Sequence, residues 1–446
     1  MSEYDTVLHP DFLVPIVPRG QVLAAHSVAL NGDRIAAIIP RAEAQKVVSS
    51  AHIDLAGCVL LPGFINLHCH AAMSLLRGYA DDMPLMSWLQ RYIWPTERKV
   101  VGPEFVRDGS DLAIAELLKG GTTTLVDNYY FPEITAEQCD SAGLRALLNF
   151  PIIDVETAWA RDAEACINRG LALRDRYRDH DRIAIGFGPH STYGVSERTL
   201  NQVAMLAEEL DAPVHIHLQE TKEEVLNSVE RCGLRPIDLL QKLGLLGPRT
   251  HCVHMNAVGE QDIETLALHG AHVVHCPRSN LKLGSGISPV QRLLDRGVNV
   301  ALGTDGAASN NRLSMLAEAQ TASLIGKVQQ GDPQAVSAWS ALEMATLSGA
   351  QALGQGHHLG SIESGKLADL IAVDMSGAHQ LPQHDVISNL IYASSGNEVL
   401  WSWIGGRLVM GNGELQTLDY NDVTQRAMQW SSQLGAVRSS LEHSHK

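Results

Sequence analysis

A chain of 446 residues is longer than one average domain, but α/β barrels commonly run to about 250 residues as one unit, so the length predicts a barrel with a smaller companion module. Its 34 Lys and Arg against 50 Asp and Glu leave a formal net charge of −16, which repels phosphate backbones and excludes a nucleic acid or an anionic lipid surface as partner. The seven cysteines are scattered and contain no C-x-x-C pair, which excludes a disulfide framework and predicts reduced thiols in a cytoplasmic protein.

In chain order, the opening residues Met1-Ser2-Glu3-Tyr4-Asp5 show no positive region followed by an apolar stretch, so no secretory signal is expected. Residues 1–59 carry short alternating stretches between Gly and Asn turns, as at 28–39, and read as strands. Eight short β-branched or apolar runs follow, at 60–70, 122–130, 145–154, 183–191, 213–220, 250–256, 272–280 and 299–305. Eight is the strand number of a (β/α)₈ barrel. The segments between them, such as 196–210 and 222–243, place apolar residues three and four apart, as crossover helices do. Thr221 with Glu224 three residues later predicts a capping box opening the helix after the fifth strand. Residues 366–418 return to the alternating pattern, as at 400–409. The fold class expected is therefore α/β, a barrel over 60–365 with a small β-sandwich module built from 1–59 and 366–418. Residues 419–446 read as a terminal helix fading into a polar tail. No apolar run reaches the roughly 18 residues that a membrane span needs.

The chemistry starts at His68-Cys69-His70. The two-residue period of a strand puts both imidazoles on one face and Cys69 on the other, which makes a two-point metal clamp. About one H-x-H is expected by chance at this histidine content, and the chain has three, at 68/70, 215/217 and 443/445, the last of them in the tail. Position strengthens the first two, because barrel active sites form where the C-terminal ends of the strands meet the following loops. His70, His217 and Asp305 fall at such ends on strands one, five and eight, and strands one and eight are neighbours in a closed barrel. His68, His70, His217 and Asp305 thus form an N and O donor set for one divalent ion, Zn²⁺ first, with Fe²⁺ and Mn²⁺ accepted by the same donors. His215 lies deeper on its strand and reads as a core residue. Glu220, three residues after His217, reads as a catalytic acid at the mouth. Spacing alone does not choose between His251 and His254 in Thr250-His251-Cys252-Val253-His254. His190 in Gly188-Pro189-His190-Ser191 is a further mouth histidine. Such a set permits hydrolysis, and the chain carries neither a Gly-rich phosphate loop nor a G-x-S-x-G elbow.

These residues resemble the amidohydrolase superfamily along nearly the whole chain, from Leu61-Pro62-Gly63-Phe64-Ile65-Asn66-Leu67-His68-Cys69-His70 to Gly365-Lys366-Leu367-Ala368-Asp369-Leu370. Within it the chain is most similar to the 5′-methylthioadenosine/S-adenosylhomocysteine deaminases, on His217-Leu218-Gln219-Glu220-Thr221, Ser279-Asn280-Leu281-Lys282-Leu283-Gly284 and Gly303-Thr304-Asp305-Gly306-Ala307-Ala308-Ser309-Asn310-Asn311. The resemblance implies one metal on His68, His70, His217 and Asp305, with His251 rather than His254 at the mouth. It implies hydrolytic deamination at C6 of an adenine nucleoside, with Glu220 serving ring N1 and with His251 and Asp305 handling the water. Glu97 matches a ribose-binding position, His190 a nucleoside contact, and Trp88 and Ser309 are expected to line the pocket. Phe150 stands where some family members place an arginine for the amino-acid carboxylate of S-adenosylhomocysteine. That predicts a preference for 5′-methylthioadenosine, with S-adenosylhomocysteine and adenosine as weaker substrates. A small-molecule nucleoside partner and a homo-oligomer are expected. The competing readings are a deaminase or chlorohydrolase of a free base or triazine, and a non-catalytic scaffold of the same fold.

Overall fold

Val-, Ile- and Leu-rich runs bounded by Gly and Pro form two sheets in the computed structural model, which describes residues 4–444. The larger unit is a barrel of eight parallel strands in sequential order: Phe64–Cys69, Thr122–Asp127, Arg145–Ile152, Ile183–Pro189, Val214–Leu218, Thr250–His254, His272–His275 and Val300–Leu302. Each lies inside one of the eight predicted segments. Strands of an all-parallel sheet are covered on both faces, and the first two are buried at every position, Asn66, His68 and Asp127 included. The seam between strands eight and one closes just past the ladder. There the Asp305 N–H donates to the His68 carbonyl and the Thr304 N–H to Asn66 Oδ1, both at 3.0 Å. Asp305 is thereby brought beside His68.

The two ends of the chain build the other sheet, nine mixed strands among the described residues. Tyr4–Leu13 pairs parallel with Ser49–Pro62, which pairs antiparallel with Leu370–Asp374. Leu8, Val28, Leu60, Leu370 and Trp403 form its own core. The predicted run 60–70 is thus divided, its first residues belonging to the outer sheet and the barrel strand starting at Phe64. Gly63 makes the crossing, because a Cβ there would lie 2.0 Å from Thr123 Oγ1.

The predicted helix at 222–243 is two helices, Lys222–Cys232 and Pro236–Lys242. Gly233 stops the first with φ +73° and Pro236 opens the second. Thr221 caps the first as expected, accepting from the Glu224 N–H at 3.1 Å. The Glu224 carboxylate reaches further back, to the N–H groups of Gln219 and Glu220 at 3.0 and 2.8 Å, and ties the helix to the end of strand five. The terminal helix Tyr420–Ser444 docks on Pro103–Lys119, where Arg426 pairs with Asp108 and Asp111 and Trp430 Nε1–H donates to Asp108. Of the tail pair 443/445, His445 lies outside the described residues. No described helix is long and apolar enough to cross a membrane.

Candidate active site

Three strand ends share an unusual backbone. Gln219, His254 and Asp305 follow or end strands five, six and eight with φ of 51°, 77° and 60°. A left-handed conformation costs a non-glycine residue about 1–3 kcal/mol and persists only where the surroundings impose it. Here it turns the chain sharply at the mouth and aims Glu220, His254 and Asp305 into one cavity of about 600 Å³, a size suited to a nucleoside.

His70 and His217 have their ring orientation fixed from behind. Their Nδ1–H groups donate to the carbonyls of Asn128 (2.6 Å) and His190 (2.7 Å), so each turns a bare Nε2 towards the cavity. His68 sits deeper and fully buried, and its Nε2 has no hydrogen-bond partner. Asp305 Oδ1 stands 3.5 Å from His68 Nε2 and 3.4 Å from His70 Nε2. Two ligands each about 2.1 Å from a tetrahedral centre stand about 3.4 Å apart. The donor atoms of His68, His70 and Asp305 lie within 4.8 Å of one another, as do those of His68, His217 and His254. An orphaned buried lone pair facing a carboxylate at ligand spacing fits a divalent cation. Asp305 is held by Ser279 and Ser309 hydroxyls at 2.6 and 3.0 Å and by the Gly306 N–H at 2.7 Å. Burial opposes its ionisation, but the neighbouring His68 and His70 outweigh it and hold its pKa well below the usual carboxylate range. Burial, with His70 beside it, lowers His68 to about 4, and burial with His68 takes His217 well below its usual value, so both rings are neutral lone-pair donors at pH 7.

A second polar chain sets His254. The Glu220 carbonyl accepts from Asn256 Nδ2 (3.0 Å), Asn256 Oδ1 accepts from Asn280 Nδ2 (2.9 Å), and Asn280 Oδ1 is left to accept from His254 Nδ1–H (2.9 Å). Asn280 thus fixes the neutral His254 ring in the tautomer whose Nε2 lone pair faces the cavity, 3.7 Å from Glu220 Oε2. The other Glu220 oxygen accepts from Ser285 Oγ at 2.8 Å. Glu97, from the helix Trp94–Val100, faces the same cavity and accepts from Tyr129 Oη at 2.6 Å. Burial raises its pKa to about 7, against the pull of that hydrogen bond. Burial and the nearby His70 lower His190 to about 4. His190, Trp88 and Ser309 also line the cavity.

Two expectations are corrected. His251 is not at the mouth: strand six runs on to His254, and His251 is buried in the barrel interior with Nε2 2.9 Å from the Ala352 carbonyl. His254, which the resemblance passed over in favour of His251, takes the mouth position. Phe150 faces away from the cavity, packing on Phe187 and over Gly170, where a Cβ would lie 2.3 Å from its ring. It cannot touch a ligand, and the preference built on it loses its basis. Sequence reasoning also missed Tyr129, Asn256 and Ser285. The end of the apolar run at Val253 was the one signal for His254; the other three sit in loops with no periodicity to place them.

The chain matches the Amidohydrolase family over residues 59–409. It is 48% identical over 97% of its length to a protein of Teredinibacter turnerae named 5-methylthioadenosine/S-adenosylhomocysteine deaminase, covering 98% of that protein. A protein of the same name from Saccharophagus degradans is 45% identical, with 98% of each chain covered. Among solved structures, an adenosine deaminase from Xanthomonas campestris with bound zinc superposes with a TM-score of 0.96 at 43% identity, over 97% of this chain and 99% of that one.

Proposed function

The chain belongs to the amidohydrolase family, and from that premise we propose that it is a metal-dependent aminohydrolase converting an adenine nucleoside, 5′-methylthioadenosine or a relative with another 5′ group, to the 6-oxo nucleoside and ammonia. One observation carries the reading: the buried Nε2 of His68 facing Asp305 at 3.5 Å, in a cavity that also receives Glu220, His254 and Glu97. The names of the two relatives support the substrate class.

His68, His70, His217 and Asp305 would hold the ion, and the zinc in the structural neighbour makes Zn²⁺ the first choice. When bound, the metal supplies Lewis acidity that brings a water's pKa near 7. The protein's own groups then account for the protons. The bare Nε2 of His254 accepts a proton from water as its oxygen bonds to C6. Glu220, steadied by Ser285, gives a proton to ring N1. The C6–N bond then breaks: His254 returns its proton to the departing ammonia, and the remaining hydroxyl proton passes to Glu220 as the C6 carbonyl forms, which restores both residues. Glu97 would accept from the ribose hydroxyls, a task with no counterpart on a free base or a triazine. With Phe150 turned away, the 5′ group falls to other residues lining the cavity, Arg98 and Arg231 among them. A cytoplasmic location is part of the same reading, in keeping with seven unpaired cysteines.

The test is an ammonia-release screen of metal-replete protein on 5′-methylthioadenosine, S-adenosylhomocysteine, adenosine, guanine and cytosine. Turnover of the adenine nucleosides alone is expected; turnover confined to a free base would overturn the reading.

A further inference from the structure

Behind the site, a line runs from His68 through two further histidine rings, which the chemistry above does not use, to a backbone carbonyl. His251 Nε2 is 2.9 Å from the Ala352 carbonyl, His251 Nδ1 is 3.3 Å from His215 Nδ1, and His215 Nε2 is 2.8 Å from His68 Nδ1. All three rings are fully buried. Ala352 ends the helix Leu347–Ala352, where carbonyls lack partners inside the helix. The carbonyl can only accept, and this gives the line one direction. His251 must carry its hydrogen on Nε2, since a bare Nε2 would set lone pair against lone pair. In a neutral ring its Nδ1 is then bare and accepts from His215 Nδ1–H. His215 Nε2 is bare in turn and accepts from His68 Nδ1–H. The only nitrogen left without a hydrogen or a partner is His68 Nε2, the atom facing Asp305.

We propose that His215 and His251 are positioning residues which, anchored on the Ala352 carbonyl, hold His68 in the tautomer that presents its Nε2 lone pair to the divalent cation. The inference rests on the reading of His68 as a metal ligand. His215 is then more than a satisfied core histidine, and His251 acts on the metal two rings away without touching substrate. Outer-shell partners of this kind typically change metal affinity about 10–100-fold.

The experiment strips the full-length protein of metal and titrates Zn²⁺ against a chromophoric chelator, for the parent and for His215→Phe, His251→Phe and His215→Gln. Cobalt-substituted samples give the visible ligand-field spectrum, and unfolding midpoints of the metal-free forms monitor the fold. His215→Phe is expected to weaken Zn²⁺ binding about 10–100-fold and shift the cobalt spectrum with a folded metal-free protein. His251→Phe should move both in the same direction, and His215→Gln, whose amide oxygen can accept from His68, should recover part of the loss. If His215→Phe does not fold, His251→Phe decides. Phe variants that bind Zn²⁺ within about twofold of the parent and keep its cobalt spectrum overturn the inference. A parent that binds no Zn²⁺ overturns instead the metal reading beneath it.

Discussion

Glu220 reaches the cavity because Gln219 leaves strand five with φ 51° and Glu224 holds the following N–H groups. Its carboxyl then sits between Ser285 and His254, a donor on one side and a bare nitrogen on the other. A group so placed handles a proton, and removing it from Glu220→Gln should lower kcat about 10²–10⁴-fold while zinc content stays at the parent's level. Metal analysis beside steady-state kinetics checks both halves; loss of zinc in parallel with activity would make Glu220 a structural support instead. At this scale the sequence was legible where a motif sits at a strand end. His68, His70, His217, Glu220 and Asp305 could all be placed that way. His251 and His254 could not be separated, since which of them reaches the mouth depends on where the strand stops, and the turn through Met255 that stops it has no pattern in the sequence.

The elements that carry these residues pack backbone to backbone at a few places. The helix Pro103–Lys119 rests on the short 3₁₀ turn Ala71–Leu76 that follows His70, and a Cβ at Gly109 would lie 2.3 Å from the Ala72 carbonyl oxygen. Backbone cannot yield as a side chain does. Gly109→Ala should therefore cost about 1–3 kcal/mol of stability, as overpacking does, even though alanine favours a helix by up to about 1 kcal/mol. Denaturant unfolding measures this, and a stabilised variant would contradict the packing described. Strand existence was legible here because eight covered strands write eight apolar runs. Strand faces were not. A shift of one residue exchanges inside for outside, and Phe150, buried either way, gave no polarity by which to tell that it points to the helix layer.

For the whole molecule, burial sets an unusual balance of protons. It lowers His68, His190 and His251 to about 4 and His275 to about 3, and takes His215 and His217 well below their usual value. The unfolded chain protonates these six rings below about pH 6.5 and the folded one does not, so stability is lost as pH falls from there towards about 4. Four carboxyls act in the other sense. Burial raises Glu97 and Glu224 to about 7, Asp127 to about 6 and Glu318 to about 8. They keep their protons in the fold while the unfolded chain gives them up, so stability is lost as pH rises from about 4.5 to about 8. Where the two ranges overlap six rings outweigh four carboxyls, and above about pH 6.5 only the carboxyls act. The metal-free protein should show its highest unfolding midpoint near pH 6.5, lower at about pH 5 and about pH 8; a midpoint climbing steadily to pH 8 would contradict this balance. The central claim, that this cavity removes the 6-amino group of an adenine nucleoside, is tested most directly by the products formed from 5′-methylthioadenosine with metal-replete and metal-stripped protein. The account predicts equal amounts of ammonia and the intact 6-oxo nucleoside, formed only with metal; release of free adenine, or no ammonia with metal present, would contradict it.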